Sequence, residues 1–288
     1  MVARKKALTR LTQGRPPLAK PSRSMTRKAS RTLINQHHQL EKTRARAIRS
    51  GDKETEAKVA AELENLGGLG RYQKASLQGQ SIDRGGDTSK VLMEWLPLDE
   101  LKKQPRPLQM LEVGALSTRN ACSTSGVFDV EHIDLNSQEP GIRQQDFMER
   151  PLPENGEGEF DVISLSLVLN FVPDALGRGA MLVRTLSFLK ADVGGATAAE
   201  SLFPCLFVVL PRSCVDNSRY FTDARFDELM AALGYTRVRS KKTQKLAYSL
   251  WRRRATAVVR TGLTFPKQEV NPGRTRNNFV MTLKGQQT

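Results

Sequence analysis

Residues 108–115 read Leu-Gln-Met-Leu-Glu-Val-Gly-Ala, and residues 128–135 read Phe-Asp-Val-Glu-His-Ile-Asp-Leu. Each stretch is a short, largely apolar run of the kind expected for a buried β-strand. The first closes with Gly114 and the second with Asp134, about twenty residues further on. This spacing is typical of the first half of a nucleotide-binding βαβ unit, so the two stretches predict an α/β fold.

Three residues at the ends of these strands are candidate cofactor contacts: Glu112, Gly114 and Asp134. Gly114 lets the backbone approach a ligand where a Cβ atom would collide, and Asp134 can accept hydrogen bonds from two ribose hydroxyls. The pyrophosphate fingerprint G-x-G-x-x-G is incomplete here, because only its first glycine is present. A nucleoside without phosphates, such as S-adenosylmethionine, fits this loop better. Alternatively, Gly114 is only a strand-end turn and Asp134 only a helix cap.

Further apolar runs extend the predicted sheet beyond these two strands, at residues 142–147, 160–165, 202–210 and 235–240. An antiparallel last strand is predicted at residues 278–284, whereas residues 245–251 fit a strand or an amphipathic helix equally well. Helical patterns at residues 175–190 and 223–233 alternate with the strands. The pattern predicts a seven-stranded, mostly parallel sheet with helices on both faces.

Polar and aromatic residues follow the third, fourth and fifth predicted strands, at the edge where open α/β sheets hold ligands. In class I methyltransferases, which this pattern resembles, the residues after the third strand contact adenine, so Asp146 and Phe147 are candidates. Asp146 fits a plain turn equally well. Asn170 and Phe171 belong to Asn170-Phe-Val-Pro173, a partial match to the Asn/Asp-Pro-Pro-aromatic motif of amino-methylating relatives. Asn170 alternatively caps the next helix, and Tyr220 is a candidate substrate contact.

A glycine-flanked polar segment precedes the predicted core, at residues 69–80, and it contains Tyr72 and Gln73. Such a loop could close over a bound nucleoside, or it could be a simple connection. After it, Asp87 or Thr88 is expected to cap a helix with Val91, Leu92, Trp95 and Leu96 on its apolar face. We expect this helix to lie over the ligand pocket.

The formal net charge of +15 is concentrated at the amino terminus. Residues 1–50 contain 14 Lys and Arg residues but a single acid, Glu41. A second cluster at residues 237–260 has nine basic residues and no acid, and it is either a nucleic-acid contact or a solvated face. Because basic arms bind phosphate backbones, the charge distribution predicts a nucleic-acid partner and a nuclear or nucleolar location.

The three cysteines, Cys122, Cys205 and Cys214, have neither an even count nor a C-x-x-C spacing. They therefore predict a reducing compartment, no disulfide framework and no metal site. No apolar run approaches the roughly 20 residues of a membrane span, and no secretory signal is recognisable. We expect a soluble intracellular protein that does not contact membranes and is a monomer.

The composition divides the chain into three predicted parts. Residues 1–35 mix Lys and Arg with Ser, Thr and Pro and contain few apolar residues, so they predict a disordered basic arm. Residues 36–104 are predicted to form a helical extension, with a break near residues 50–52 where Asp52 caps a second helix. Residues 105–288 are predicted to form the α/β domain.

Several of these segments together resemble the fungal 25S rRNA adenine-N1 methyltransferases, whose animal relatives act as S-adenosylmethionine sensors. The resemblance is carried by residues 67–80, 85–90, 111–114, 132–134, 166–173 and 276–279. It implies a class I methyltransferase fold, S-adenosylmethionine as methyl donor and a nucleolar location. The implied substrate is large-subunit rRNA, either free or in a pre-ribosomal particle. Gly114 and Asp134 fall on the family's cofactor positions.

The chemistry implied by this resemblance needs no catalytic base, because N1 of neutral adenine already carries a lone pair. The enzyme must unstack the base, align N1 with the methyl carbon and exclude water. We expect Asn170 to hydrogen-bond the target base and Phe171 or Tyr220 to stack on it. The rival hypothesis is a cofactor sensor without catalysis, and the basic arm disfavours it because a sensor has no need to bind phosphates.

Overall fold

The computed structural model describes residues 27–68, 86–137, 139–154, 156–191, 200–254 and 262–285. Tyr72, Gln73 and residues 1–26 of the predicted arm lie outside this part of the chain. In chain order the described elements are α1 (Arg27–Ser50), α2 (Lys53–Asn65), α3 (Ser89–Trp95), α4 (Leu98–Leu101), β1 (Leu108–Val113), β2 (Phe128–Asp134), β3 (Ile142–Gln144), β4 (Val162–Ser166), α5 (Ala175–Phe188), a 3-10 turn (Glu200–Leu202), β5 (Cys205–Pro211), α6 (Arg212–Asp216), α7 (Asp223–Ala232), β6 (Tyr235–Lys242) and β7 (Leu246–Arg253).

The strands form one sheet in the order β3-β2-β1-β4-β5-β7-β6. The pairs among β1 to β5 are parallel, and β7 runs antiparallel to both β5 and β6. A single reversed strand in a seven-stranded sheet, with the order reversing between β1 and β4, is the class I methyltransferase topology. The predicted fold class is therefore confirmed.

Helices cover the sheet on both faces, and the strands alternate between two cores. Met110 and Leu111 are neighbours in β1, yet each is buried in a different hydrophobic cluster. The cluster around Leu111 includes Leu182 of α5 and Met230 of α7. The cluster around Met110 includes Leu92 of α3, so the segment before β1 covers the second face.

Two expectations about the last strands are settled by the sheet. The segment 245–251, left open between strand and helix, is a strand from Leu246 onward, as part of β7, which pairs with both neighbours along its length. The strand predicted at residues 278–284 is wrong, because this segment makes only an isolated bridge between Leu283 and Phe265. The segment instead crosses the sheet edge, where the Thr282 N–H donates to the Ala175 carbonyl at 3.0 Å.

The amino-terminal extension contains two helices that pack against each other. Asp52 caps α2 as predicted, since its carboxylate accepts from the Thr55 N–H at 3.0 Å. Helix α1 begins at Arg27, so residues 27–35 are helical where the end of a disordered arm was expected. Leu33 and His37 explain the difference, because they are one helical turn apart and both are buried. The three-part division of the chain stays a prediction. Within the described ranges no helix is long and apolar enough to cross a membrane.

Candidate active site

The carboxyl ends of the central parallel strands bring most of the candidate residues to one edge. Val113 of β1 pairs with Ile133 of β2 and with Leu165 of β4, so the three strands end at the same level. Gly114, Asp134 and the loop of residues 167–173 therefore lie side by side. Open α/β sheets bind nucleosides at this edge, next to the point where the strand order reverses.

Gly114 is required by the backbone and by its packing. Its φ angle is +75°, and a Cβ atom built there would lie 2.7 Å from Cγ2 of Val168. The Gly114 and Ala115 N–H groups both donate to the Ile133 carbonyl, at 2.8 and 3.0 Å. The glycine thus allows close contact between the loops after β1 and β4, which shapes the space above the strand ends.

Asp134 holds its carboxylate at the end of β2. One oxygen, Oδ1, accepts from the Asn136 N–H at 2.8 Å, and among the described residues nothing donates to Oδ2. Burial raises the pKa of this half-buried carboxyl group. One oxygen is therefore fixed by the turn, while the other is available to a ribose hydroxyl.

Glu112 lies deeper than expected and belongs to a polar network beneath the edge. Its side chain is 15% exposed, and Oε2 accepts from Asn120 Nδ2 at 2.7 Å and lies 3.5 Å from His132 Nε2. His132 in turn pairs with the Ser123 hydroxyl at 2.8 Å. Burial, with a smaller contribution from the charge of Asp87, raises the pKa of Glu112 to about 7. Glu112 therefore supports the loop after β1 from below.

Asp87 is a site residue that the sequence suggested only as a helix cap. Its Oδ1 accepts from the Ser89 N–H at 3.0 Å, and its Oδ2 accepts from the Ala121 N–H at 2.9 Å. The neighbouring Thr88 hydroxyl lies 2.7 Å from the Ser166 hydroxyl at the end of β4. The segment before α3 thus fastens the loops after β1 and β4 together, a role that only the family-like motif at residues 85–90 could have signalled.

The loop after β4 combines a strained backbone conformation with a buried hydrogen-bond acceptor that has no donor among the described residues. Leu167 has a φ angle of +59°, a conformation that non-glycine residues rarely adopt. Asn170 places Oδ1 in a buried position where no described residue donates a hydrogen bond to it. A buried acceptor without a donor costs about 1–3 kcal/mol. Strain and an unsatisfied acceptor in one loop are typical of a ligand-binding segment. Phe171 follows, half-buried, at the same edge.

Arg178 of α5 holds this loop in place. The buried guanidinium donates to the carbonyls of Leu169 at 3.1 Å, Pro173 at 3.3 Å and Val280 at 2.7 Å. It also stacks on the Phe279 ring, 4.7 Å from the centroid. Because both ends of the Asn170 loop are tied to one rigid fork, the loop keeps its strained shape.

Asp146 and Phe147 lie in the loop after β3, which ends at Gln144. Oδ1 of Asp146 accepts from the Met148 N–H at 2.7 Å, which matches the turn role that was considered for it. Phe147 is 2% exposed and packs against Phe188 at 5.3 Å between ring centroids. Phe147 therefore faces the core, and its ring is not brought together with the other candidates.

Tyr220 lies in the loop after α6, near the carboxyl end of β5, and a lysine side chain lies over its ring. Nζ of Lys267 is 3.9 Å from the ring centroid, and the Arg219 guanidinium carbon is 5.9 Å from it. The loop that carries this half-buried ring contacts the carboxyl-terminal segment, since the Ser218 hydroxyl donates to the Phe279 carbonyl. Phe279 in turn packs on Arg178, which holds the Asn170 loop.

The chain matches the family model described as 25S rRNA (adenine(2142)-N(1))-methyltransferase, Bmt2, over residues 57–281. A relative from Schizosaccharomyces pombe, named 25S rRNA adenine-N(1) methyltransferase, is 38% identical over 254 residues, which cover 86% of this chain and 89% of the relative. A Saccharomyces cerevisiae protein named 25S rRNA (adenine(2142)-N(1))-methyltransferase is 40% identical over 227 residues, covering 78% of this chain and 63% of that protein.

A crystal structure of the N-methyltransferase NodS from Bradyrhizobium japonicum WM9 with S-adenosyl-l-homocysteine aligns with a TM-score of 0.37. The alignment has 14% identity and covers 62% of this chain and 90% of that chain. Assignment to a family rests on the family model and the two fungal relatives. On these matches, the chain belongs to the 25S rRNA (adenine(2142)-N(1))-methyltransferase family, Bmt2.

Proposed function

We propose that this protein transfers a methyl group from S-adenosylmethionine to N1 of an adenine in 25S rRNA. The observation that carries the proposal is the buried Oδ1 of Asn170, an acceptor without a donor at the edge of a methyltransferase sheet. Membership in a family named for this reaction supports it. Neither fungal relative is named as a sensor, which favours the enzyme over the sensor hypothesis.

The residues around β1 and β2 fit the nucleoside part of the cofactor. Asp134 would accept from the ribose hydroxyls with Oδ2, and the turn at Gly114 leaves the strand ends open. Glu112 would act from below, through Asn120, on the loop that borders the cofactor. When bound, S-adenosylmethionine supplies a methyl group activated by its sulfonium charge. Tyr72 and Gln73 stay proposed as residues that close over the cofactor.

Asn170 is proposed to select and orient the target base. Its Oδ1 would accept a hydrogen bond from the exocyclic amine of adenine, which satisfies the buried acceptor and directs the neighbouring N1 towards the methyl group. Phe171 would stack on the base and exclude water. Because N1 has a lone pair, no residue needs to remove a proton before methyl transfer, and positioning supplies the rate enhancement.

The substrate is proposed to be large-subunit rRNA, free or within a pre-ribosomal particle, and the enzyme is proposed to act as a monomer in the nucleolus. The charge of residues 1–50, with 14 basic residues and one acid, supports both the RNA partner and the location. Electrostatic binding of this kind weakens steeply as the salt concentration rises.

Methyl transfer from a labelled cofactor to unmodified 25S rRNA tests the proposal. Nucleoside analysis of the product should show N1-methyladenosine and no other labelled nucleoside. Calorimetry with S-adenosylmethionine alone should show binding in the same preparation. Binding of the cofactor without any labelled nucleoside, in the presence of free rRNA or of pre-ribosomal particles, would instead favour the sensor.

A further inference from the structure

The carboxyl-terminal segment, residues 262–285, forms a strap across the sheet edge. It is fastened to the loop that carries Tyr220: the Arg219 N–H donates to the Asn277 carbonyl at 2.9 Å, and the N–H groups of Val270 and Asn271 donate to the Arg219 carbonyl at 2.9 and 3.0 Å. The Arg219 guanidinium donates to the Gly273 carbonyl at 2.8 Å. The strap and the Tyr220 loop therefore form one surface.

The same strap reaches the Asn170 loop. Val280 accepts the hydrogen bond from Arg178 that was described above, and Thr282 donates to Ala175 at the start of α5. The strap thus spans the ends of β4 and β5 and borders the loop proposed to hold the target adenine. A nucleic-acid strand that delivers a base to Asn170 has to pass over or beside this strap.

The strap is basic and exposes its charges. It contains Lys267, Arg274, Arg276 and Lys284 against a single acid, Glu269. Lys267 and Arg274 are exposed, and Lys267 lies over the Tyr220 ring. A cation beside an aromatic ring offers a phosphate contact next to a stacking surface, the combination that single-stranded nucleic acids bind.

The larger basic cluster at residues 237–260 is a weaker candidate, because intramolecular partners hold several of its charges. Arg237 pairs with Asp227 at 2.7 Å, Lys241 with Glu94 at 2.7 Å and Lys242 with Asp216 at 2.6 Å. Arg253 donates to backbone carbonyls, including that of Lys190 at 3.0 Å. These contacts connect β6 and β7 to neighbouring elements and partly neutralise the described part of the cluster.

We propose that the strap binds the single-stranded rRNA that flanks the target adenosine, with Lys267 and Arg274 contacting phosphates and Tyr220 stacking on a neighbouring base. The inference rests on the proposed function and adds to it the path of the substrate. It changes the expected role of Tyr220 from a contact of the target base to a contact of the flanking strand, because Tyr220 lies in the loop that is fastened to the strap and not in the Asn170 loop.

The double variant Lys267→Ala/Arg274→Ala of the full chain tests the strap. We expect the KM for 25S rRNA to rise on the order of tenfold, with kcat at saturating rRNA and cofactor affinity unchanged. The slope of log affinity against log salt should fall by about 1.4, since each phosphate contact with a single strand contributes about 0.7. Methyl transfer and direct rRNA binding are both measured.

The matched control is Lys103→Ala/Arg106→Ala, which removes one lysine and one arginine at the amino edge of β1, where both are exposed. It should behave as the parent protein, because exposed charges act over about 10 Å at moderate salt. Equal rRNA binding by the strap variant and the parent, or an equal defect in both double variants, would overturn the inference. The measurement of rRNA binding tests the strap separately from the proposed function. The proposed function fails only if the parent protein forms no N1-methyladenosine.

Discussion

At the residue scale, burial changes the protonation of Glu112, a residue of the motif at the end of β1. Its pKa is raised from 4.5 to about 7, chiefly by burial. Between these values the folded protein keeps a proton that the unfolded chain has already released. The contribution of Glu112 to the free energy of unfolding should therefore fall as the pH rises from 5 to 7 and stay constant above pH 7.

Glu112→Gln should remove this pH dependence. Glutamine stays neutral and can still accept from Asn120, so the network keeps its hydrogen bond. We expect the decrease in unfolding free energy between pH 5 and pH 8 to become smaller by about 2–3 kcal/mol, because one pKa unit corresponds to about 1.36 kcal/mol. Urea unfolding at several pH values measures it, with Glu62→Gln on the exposed face of α2 as control. Parallel curves for Glu112→Gln and the parent would contradict the assignment.

Local sequence patterns were enough to place some of the candidate residues at the carboxyl edge of the sheet. Glu112, Gly114 and Asp134 could be located because strand ends and turn residues are local features. The role of Asp87 could not be found in this way, since it contacts Ala121 across 34 residues of sequence. The orientation of Phe147 was equally hidden, because a loop position does not tell whether a ring faces the core or the ligand edge.

At the element scale, the loop after β4 depends on α5 for its shape. Arg178 donates to three carbonyls that belong to the Asn170 loop and to the strap. Burial lowers the pKa of this guanidinium, which shows that the charged group is held at a cost. Its three hydrogen bonds to carbonyl acceptors offset that cost and link the two elements that we propose to contact the substrate.

Arg178→Lys should release this loop. Lysine keeps the charge but cannot donate to three carbonyls in the fixed fork of a guanidinium. We expect a loss of about 2–3 kcal/mol in unfolding free energy and a lower kcat, while cofactor affinity changes little. Arg119→Lys is the control, because its side chain is 77% exposed and its ion pair with Glu139 contributes little. A variant with parental stability and kcat would show that the clamp is unimportant.

The element order explains which strands were predictable. Residues 245–251 and 278–284 are both short runs rich in apolar residues, and a strand was predicted at residues 278–284 whereas residues 245–251 were left open between a strand and a helix. The sheet selects residues 246–253 because this segment follows β6 closely enough to form a hairpin with it. Residues 278–284 follow an intervening segment whose backbone groups bond to the Tyr220 loop, and these long-range contacts leave no local signal.

At the scale of the whole molecule, the segments proposed to bind RNA are separate from the sheet edge proposed to bind the nucleoside. The sheet edge presents carboxylates and an amide for a nucleoside, whereas the amino-terminal region and the strap each contain more basic than acidic residues. The sheet topology followed from the strand pattern and the resemblance to a known family. The position of the strap did not, because nothing in residues 262–285 alone shows which edge they cover.

We propose that the carboxyl edge of this sheet positions the target adenine through Asn170. Single-turnover methyl transfer to 25S rRNA by Asn170→Ala tests it most directly, with Asn65→Ala on the exposed end of α2 as the matched amide control. We expect a rate at least about 100-fold lower for Asn170→Ala, with unchanged affinity for S-adenosylmethionine and a parental rate for the control. Methyl transfer by Asn170→Ala at the parental rate would contradict it.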